Sequence, residues 1–413
     1  MDDSRHAANP AHATPARTVI LAIIVGAAAA LTAALAALVT TSFVMARRVV
    51  TPANRAPDAR IVDLDTEAQT VTLERTEDTV LPGRYGLFTE GTESYVKIGS
   101  VLAVGDRTVK RKLLTHISKD ARLSPLVAFS GWYFERPEEL HVPFTPELID
   151  TPVGPCPAWL FPAGEAEMIT DTWVIIVHGR GTTRAEGLRA VAVFHGLGIT
   201  SLVVSYRNDG EAPRSRGGTY KLGATEWLDV DAALAFARER GANRVLLMGW
   251  SMGGAIVMQV ALNSAHADMI DGIILESPVI DWRLVLGYQA KLVKLPKPVT
   301  DLAMEALQSE WGPARVGGPI PLDSLDIVAR ADELRHPMLI LHSDDDGFVP
   351  SDASHELVSS RPDLVELHSF DVARHTKLWN YDQERWSNAI RTWVQRHRVG
   401  GLPVNDGPEV ADS

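Results

Sequence analysis

From Thr172 onward, short apolar runs rich in β-branched residues alternate with longer stretches of helical periodicity. The runs are Trp173 to Val177, Thr200 to Ser205, Arg244 to Gly249, Ile270 to Leu275, Pro337 to Leu341 and Leu364 to Phe370. Between them fall predicted helices at Arg184 to Gly196, Gly223 to Arg240, Met252 to Ser264, Ser351 to Ser360 and Gln383 to Arg398. Strands covered on both faces need near-continuous hydrophobicity rather than alternation, so the pattern predicts a mostly parallel, doubly wound α/β sheet. One connection stands out: the insert at about 277–336 is far longer than the two to six or so residues usual there, and reads as a cap. Trp282, Leu284, Val285, Leu286, Tyr288, Leu292 and Leu295 are candidates for its apolar lining or for its own core.

Upstream the pattern differs. Alternating runs such as Thr70-Val71-Thr72-Leu73-Glu74 and Ser94-Tyr95-Val96-Lys97-Ile98 are punctuated at Pro82-Gly83, Glu90-Gly91 and Gly105-Asp106. Residues 59–150 therefore read as a small β-rich module, and 151–399 as the catalytic unit. No catalytic pattern occurs in the module, which reads as a packing or spacer unit.

Residues 18–46, TVILAIIVGAAAALTAALAALVTTSFVMA, carry no charge and are apolar all round. At about 1.5 Å per residue this stretch spans a hydrocarbon core of about 30 Å, and it reads as a single transmembrane helix. A cleaved signal peptide, with Val44-Met45-Ala46 as its cleavage site, is the competing reading, but the apolar run exceeds the usual 7 to 15 or so residues. Arg47, Arg48, Arg55 and Arg60 follow the helix, whereas only Arg5 and Arg17 precede it, and the positive-inside rule then leans towards a cytoplasmic catalytic unit. Residues 1–17 and 400–413 read as disordered ends and 47–58 as a linker.

A net charge of -12 disfavours a nucleic-acid partner and leaves small neutral or apolar substrates open. The single cysteine, Cys156, excludes an internal disulfide and a cysteine-based metal cage, and no histidine pattern near it marks a nucleophile.

The chemistry enters at Gly249-Trp250-Ser251-Met252-Gly253-Gly254, which follows an apolar run and opens a predicted helix. A strand-to-helix turn this sharp strains the backbone at the serine and crowds its neighbours, so small residues are required two positions to either side. Gly249 and Gly253 meet that demand, and the helix beginning at Met252 aims its amides where an oxyanion would form. A serine hydroxyl also needs a base and a group that orients the base. Downstream, a strand ends in Leu341-His342-Ser343-Asp344-Asp345-Asp346-Gly347-Phe348-Val349-Pro350, and Val372-Ala373-Arg374-His375-Thr376 follows the last run. His375 has rivals in His342, His355, His368 and His397, which read as structural or exposed.

These segments resemble the α/β-hydrolase superfamily, particularly its esterase, lysophospholipase and serine-peptidase-like branches, in which a strand ends in H-G-x-x-D-x-x-V-P and a later loop carries the histidine. The resemblance implies Ser251 as nucleophile, His375 as base and Asp346 as acid, with Asp345 and Asp344 as alternatives for the last role. Ser343 departs from the family's usual glycine. In Val177-His178-Gly179-Arg180-Gly181, the resemblance assigns the second oxyanion donor to the amide of Arg180, with His178 bracing the loop. Gly179-x-Gly181 also begins a dinucleotide fingerprint, but Arg184 occupies its third glycine position and no acidic residue follows a second strand where a ribose would need one. The implied activity is hydrolysis of a small-molecule or lipid ester through an acyl-enzyme, with no cofactor and no metal. A peptidase or amidase using the same residues is one alternative, and a non-catalytic tethered scaffold is another.

Overall fold

A computed structural model describes residues 15–52, 56–90, 94–164, 171–309 and 319–397. Nearly all of the expected disordered ends thus lies outside the described residues, as do Arg5, Arg55 and part of the insert. Helix α1 (Pro15–Val50) comes first, running four residues into the expected linker. Residues 19–37 are exposed along every face of it, and it is the one described helix long and apolar enough to cross a membrane.

Six strands follow: β1 (Ala59–Asp65), β2 (Thr70–Glu74), β3 (Tyr85–Phe88), β4 (Tyr95–Val104), β5 (Thr108–Leu113) and β6 (Leu126–Ser130). They close into a barrel in the order β1-β2-β5-β4-β3-β6. Period-two alternation sends Val71, Leu73, Tyr85, Leu87, Val96, Ile98, Val127 and Phe129 into its core. Arg111 is buried there too, donating to the carbonyls of Thr79, Leu81, Gly83 and Gly99 at 2.7–3.0 Å. Its charge is thus met by backbone dipoles, and burial drives its pKa down to about 10.

The main sheet has eight strands in the order β14-β13-β12-β11-β9-β10-β8-β7. Its centre is parallel: β9 (Thr172–Val177), β10 (Thr200–Val204), β11 (Arg244–Trp250), β12 (Ile270–Glu276), β13 (Met338–Ser343) and β14 (Val365–Phe370). An antiparallel hairpin, β7 (Thr145–Thr151) and β8 (Gly154–Phe161), completes the edge. Residues 145–150, read from sequence as part of the β-rich module, therefore lie in the main sheet: the two-residue turn Pro152-Val153 folds them onto β8.

Helices α2 (Leu188–Gly196), α3 (Trp227–Glu239), α4 (Met252–Asn263), α5 (Trp282–Leu292), α6 (Lys297–Gln308), α7 (Asp352–Ser360), α8 (Leu378–Tyr381) and α9 (Gln383–Arg396) complete the fold. Two hydrophobic clusters, one built on α3 and α4 and the other on α2 and α9, cover opposite faces of the sheet. All six residues of β9 are buried as a result. Residues 184–187, within the first predicted helix, form a tighter 3-10 turn ahead of α2. The insert contributes α5 and α6, and α6 lies alongside the lower part of α1.

Candidate active site

Ser251 sits between β11 and α4 with φ 50° and ψ -114°, a conformation costly for any residue with a Cβ. Backbone bonds hold it there: its amide donates to Glu276 O at 3.0 Å, and Val279 N donates to Ser251 O at 3.0 Å. The flanking glycines are required by contact. A Cβ on Gly249 would lie 2.5 Å from Gly253 O, and one on Gly253 would lie 2.3 Å from Val177 O. Met252 is the first residue of α4, so its N–H has no acceptor within the helix.

The acidic turn and the histidine loop meet this serine. His375 Nε2 lies 3.1 Å from Ser251 Oγ, and His375 Nδ1 lies 2.7 Å from Asp346 Oδ2. The other oxygen of Asp346 accepts the amides of Phe348 at 2.9 Å and Val349 at 2.8 Å, which fixes the carboxylate plane. Burial raises the pKa of this carboxyl, but the charge of His375 and hydrogen bonds from His342 and His375 outweigh it and hold the group far below the usual carboxylate range. The neighbouring acids turn elsewhere: Asp344 bonds Ser351 Oγ and His355, and Asp345 pairs with Arg374 at 3.0 Å.

The histidine loop is pinned on both sides. Ser343 Oγ accepts the amides of Ala373 at 2.9 Å and Arg374 at 3.3 Å, so the hydroxyl at the position of the family's usual glycine ties β13 to this loop. Ser277 Oγ accepts Thr376 N at 3.1 Å, and Arg189 donates to Thr376 O at 2.8 Å. Arg374 and Thr376, which flank His375, both have positive φ. The barrel adds ion pairs: Glu77 with Arg374 at 3.0 Å and Asp78 with Lys377 at 3.1 Å.

The loop after β9 passes against Ser251, since a Cβ on Gly179 would lie 3.4 Å from Ser251 Cβ. Gly179 N donates to Glu186 Oε2 at 2.8 Å, and Thr182 Oγ1 bonds the same oxygen at 2.9 Å. His178 is buried, with Nε2 3.2 Å from Asp209, Nδ1 2.8 Å from Gly179 O and its ring stacked on Tyr206. The side chain of Arg180 turns away to donate to the carbonyls of Arg48 and Thr51 at the foot of α1.

The rival histidines lie off Ser251: His342 bonds Ser354 and Val349 O and lies 3.3 Å from Asp346 Oδ2, His355 bonds Asp344, His368 bonds Glu366 and His397 bonds Trp393 O. Among the candidate lining residues, Trp282 and Val285 are buried in the core, and Trp282 donates to Leu222 O at 2.8 Å. Sequence reading passed over Glu186, Arg189 and Glu276. Glu276 accepts both Trp250 Nε1 and Trp386 Nε1 at 2.8 Å directly behind the elbow. A charged residue closing an apolar strand, as Glu276 does after Leu275, was the available signal. A cavity of about 640 Å³ opens beside the site, between the foot of α1, the loop at Thr182 and barrel residue Phe88, but neither Ser251 nor His375 borders it.

Residues 170–325 match the family model described as serine aminopeptidase, S33, and residues 60–130 match one described as a domain of unknown function, DUF8805. An uncharacterized protein of Bacillus subtilis (strain 168), YqkD, is 23% identical over 231 residues, which is 54% of this chain and 72% of that one. The Pf2001 esterase of Pyrococcus furiosus is 20% identical with a TM-score of 0.50, covering 63% of this chain and 93% of that one. A puromycin-hydrolyzing peptidase of Mycobacterium tuberculosis is 17% identical with a TM-score of 0.47, covering 81% of this chain and 46% of that one. With its eight-stranded sheet, its strand-to-helix elbow and the family match across Ser251, this chain is an α/β-hydrolase of the serine hydrolase kind.

Proposed function

We propose that the protein is a membrane-anchored hydrolase that cleaves carboxylic esters through an acyl-enzyme, with Ser251, His375 and Asp346 as its triad. The supporting observation is the unbroken chain of short contacts from Ser251 Oγ through both ring nitrogens of His375 to a buried, ionised Asp346. In this mechanism His375 takes the hydroxyl proton as Ser251 Oγ attacks the ester carbonyl. The amides of Met252 and Arg180 hold the resulting oxyanion, and Asp346 stabilises the imidazolium. His375 then protonates the departing alcohol. Water, deprotonated by the same imidazole, attacks the acyl-Ser251 ester and returns the acid and the free serine.

The anchor is supported by the exposed apolar length of α1 and by the docking of its lower end. Ala46 and Val50 are buried in the hydrolase core, so cleavage after Ala46 would remove part of that packing. The orientation rule leans towards a cytoplasmic catalytic unit. The match to the serine aminopeptidase family favours one further reading, a peptidase with the same triad. Matched acyl p-nitrophenyl esters and aminoacyl p-nitroanilides distinguish the two, with mass spectrometry locating the acyl group. Faster ester turnover and acylated Ser251 are expected; anilide turnover exceeding that of the ester would favour the peptidase.

A further inference from the structure

Helix α1 has two parts. Along 19–37 every side chain is exposed, whereas residues 38, 41, 42, 43, 45, 46, 49 and 50 are fully or partly buried, most of them at helical spacing. This lower face packs against the hydrolase core and beside α6. Two contacts show where α1 and α5 meet the catalytic body, and a third ties the end of α6 to the start of α5. Val50 O, at the foot of α1, accepts Tyr220 N at 2.8 Å. Trp282, opening α5, donates to Leu222 O at 2.8 Å, and Arg283 beside it bonds Gln308 at the end of α6 at 2.7 Å.

Helices α5 and α6 therefore run in opposite senses, and with α6 beside the docked part of α1 the turn between them lies at the end away from Trp282 and Gln308, level with the upper limit of that docked part. The lengths agree: α6 and the docked part of α1 each rise about 18 Å, and the exposed residues 19–37 rise about 28 Å, close to the hydrocarbon thickness of about 30 Å. That turn reads Lys291-Leu292-Val293-Lys294-Leu295-Pro296-Lys297. Leu292 is 53% exposed and Val293 66%, flanked by exposed Lys291, Lys294 and Lys297 on a chain of net charge -12. Lys297 shares its charge with Asp301 at 2.7 Å, which leaves Lys291 and Lys294 as the main cationic groups.

We propose that the α5–α6 turn rests on the bilayer, with Leu292 and Val293 in the interfacial zone and Lys291 and Lys294 on anionic headgroups. The proposal rests on the anchored reading of α1 and extends it: the hydrolase stands on the membrane at two points, which fixes its tilt. The second point lies close to the chemistry. Gln289 of α5 donates to Phe348 O at 2.6 Å, and the Phe348 ring centroid lies 5.1 Å from that of His375. A turn seated in the headgroups thus holds this side of the site near the surface from which an ester-bearing lipid would enter.

The test uses the full chain in phosphatidylcholine vesicles containing phosphatidylglycerol, labelled with an environment-sensitive dye at Val293→Cys or, separately, at Ala28→Cys within α1. Cys156 is buried and its thiol is pushed by burial up to about 11, so the introduced cysteine takes the dye. The dye at 293 is expected to be quenched several-fold more by headgroup-level spin-labelled lipid than by acyl-chain-level lipid, with the reverse order at 28. Adding Lys291→Gln and Lys294→Gln is expected to reduce quenching at 293 at least threefold while leaving 28 unchanged. Quenching at 28 without quenching at 293 overturns the proposal and leaves the anchor standing. Absence of quenching at both positions overturns the anchor and the proposal together, and indifference to the lysine changes overturns the headgroup contact.

Discussion

The ammonium of Lys377, two residues beyond His375, lies 3.1 Å from Asp78 of the barrel. Arg374, on the other side of the same histidine, pairs with Glu77 at 3.0 Å, so a loop of the β-rich module holds both flanks of the histidine loop. Sequence reading left that module as a packing or spacer unit, and these contacts show it packing against the loop that carries His375. Misplacement of a catalytic group by about 1 Å costs up to about a hundredfold in rate. Asp78→Ala is expected to lower kcat about tenfold with KM nearly unchanged, and Asp78→Glu to restore most of it. Steady-state kinetics alongside thermal melts provide the check. Equal loss in the Glu variant, or loss only in proportion to melting, would count against the positioning role.

Three adjacent aspartates compete for one role, and only Asp346 reaches His375. Asp346→Asn is expected to lower kcat by about 10³- to 10⁴-fold, as removal of the orienting carboxylate does in such triads. Asp344→Asn, which alters only contacts away from His375, with His355 and Ser351 among them, is expected to stay within about twofold. Initial rates of the two variants decide it; a larger loss in Asp344→Asn would reassign the acid.

Crowding at the elbow sets a stability limit. Gly253→Ala would place a methyl 2.3 Å from Val177 O and 2.5 Å from His178 O, both rigid backbone atoms. Overpacking of this kind costs about 3 kcal/mol. Denaturant melts are expected to show a lower midpoint with an unchanged slope; a midpoint equal to wild type would mean that the elbow is looser than these contacts imply.

Glu276 gives a pH test. Its burial, only partly offset by Arg189 and the two indole donors, raises its carboxyl above the ordinary value. The folded state then holds a proton that the unfolded state releases, so wild type loses stability as pH rises above the unfolded value of about 4.3. Glu276→Gln keeps an oxygen for the indoles but carries no titratable proton. Relative to wild type it is expected to gain stability with rising pH, by at most about 1.4 kcal/mol per unit within that window. Melting curves from pH 4.5 to 8 test this, and a constant or shrinking difference would contradict it.

The central strands were legible because β9, β11 and β12 are covered on both faces and so carry unbroken apolar runs. The β7–β8 hairpin was not, since it forms the edge of the sheet and carries Pro146, Pro155 and Pro157, which break the strand pattern. Ser251 was marked by its glycines, because backbone crowding demands them locally. The carboxylate beside His375 could not be separated from Asp344 and Asp345, because its direction comes from the turn that Phe348 and Val349 close on it. Arg189 and Glu276 act across the fold, on Thr376 and on Trp250 and Trp386, and the hold of Asp78 on Lys377 bridges positions far apart in the chain. Such pairings leave no local periodicity to read.

The central claim is that Ser251 is activated by His375. Labelling of the full-length protein in detergent with a fluorophosphonate probe tests it most directly, comparing wild type with Ser251→Ala and His375→Ala. The expected result is covalent labelling of wild type, none in Ser251→Ala and a large reduction in His375→Ala. Labelling that persists in Ser251→Ala, or a well-folded wild type that does not react, would contradict it.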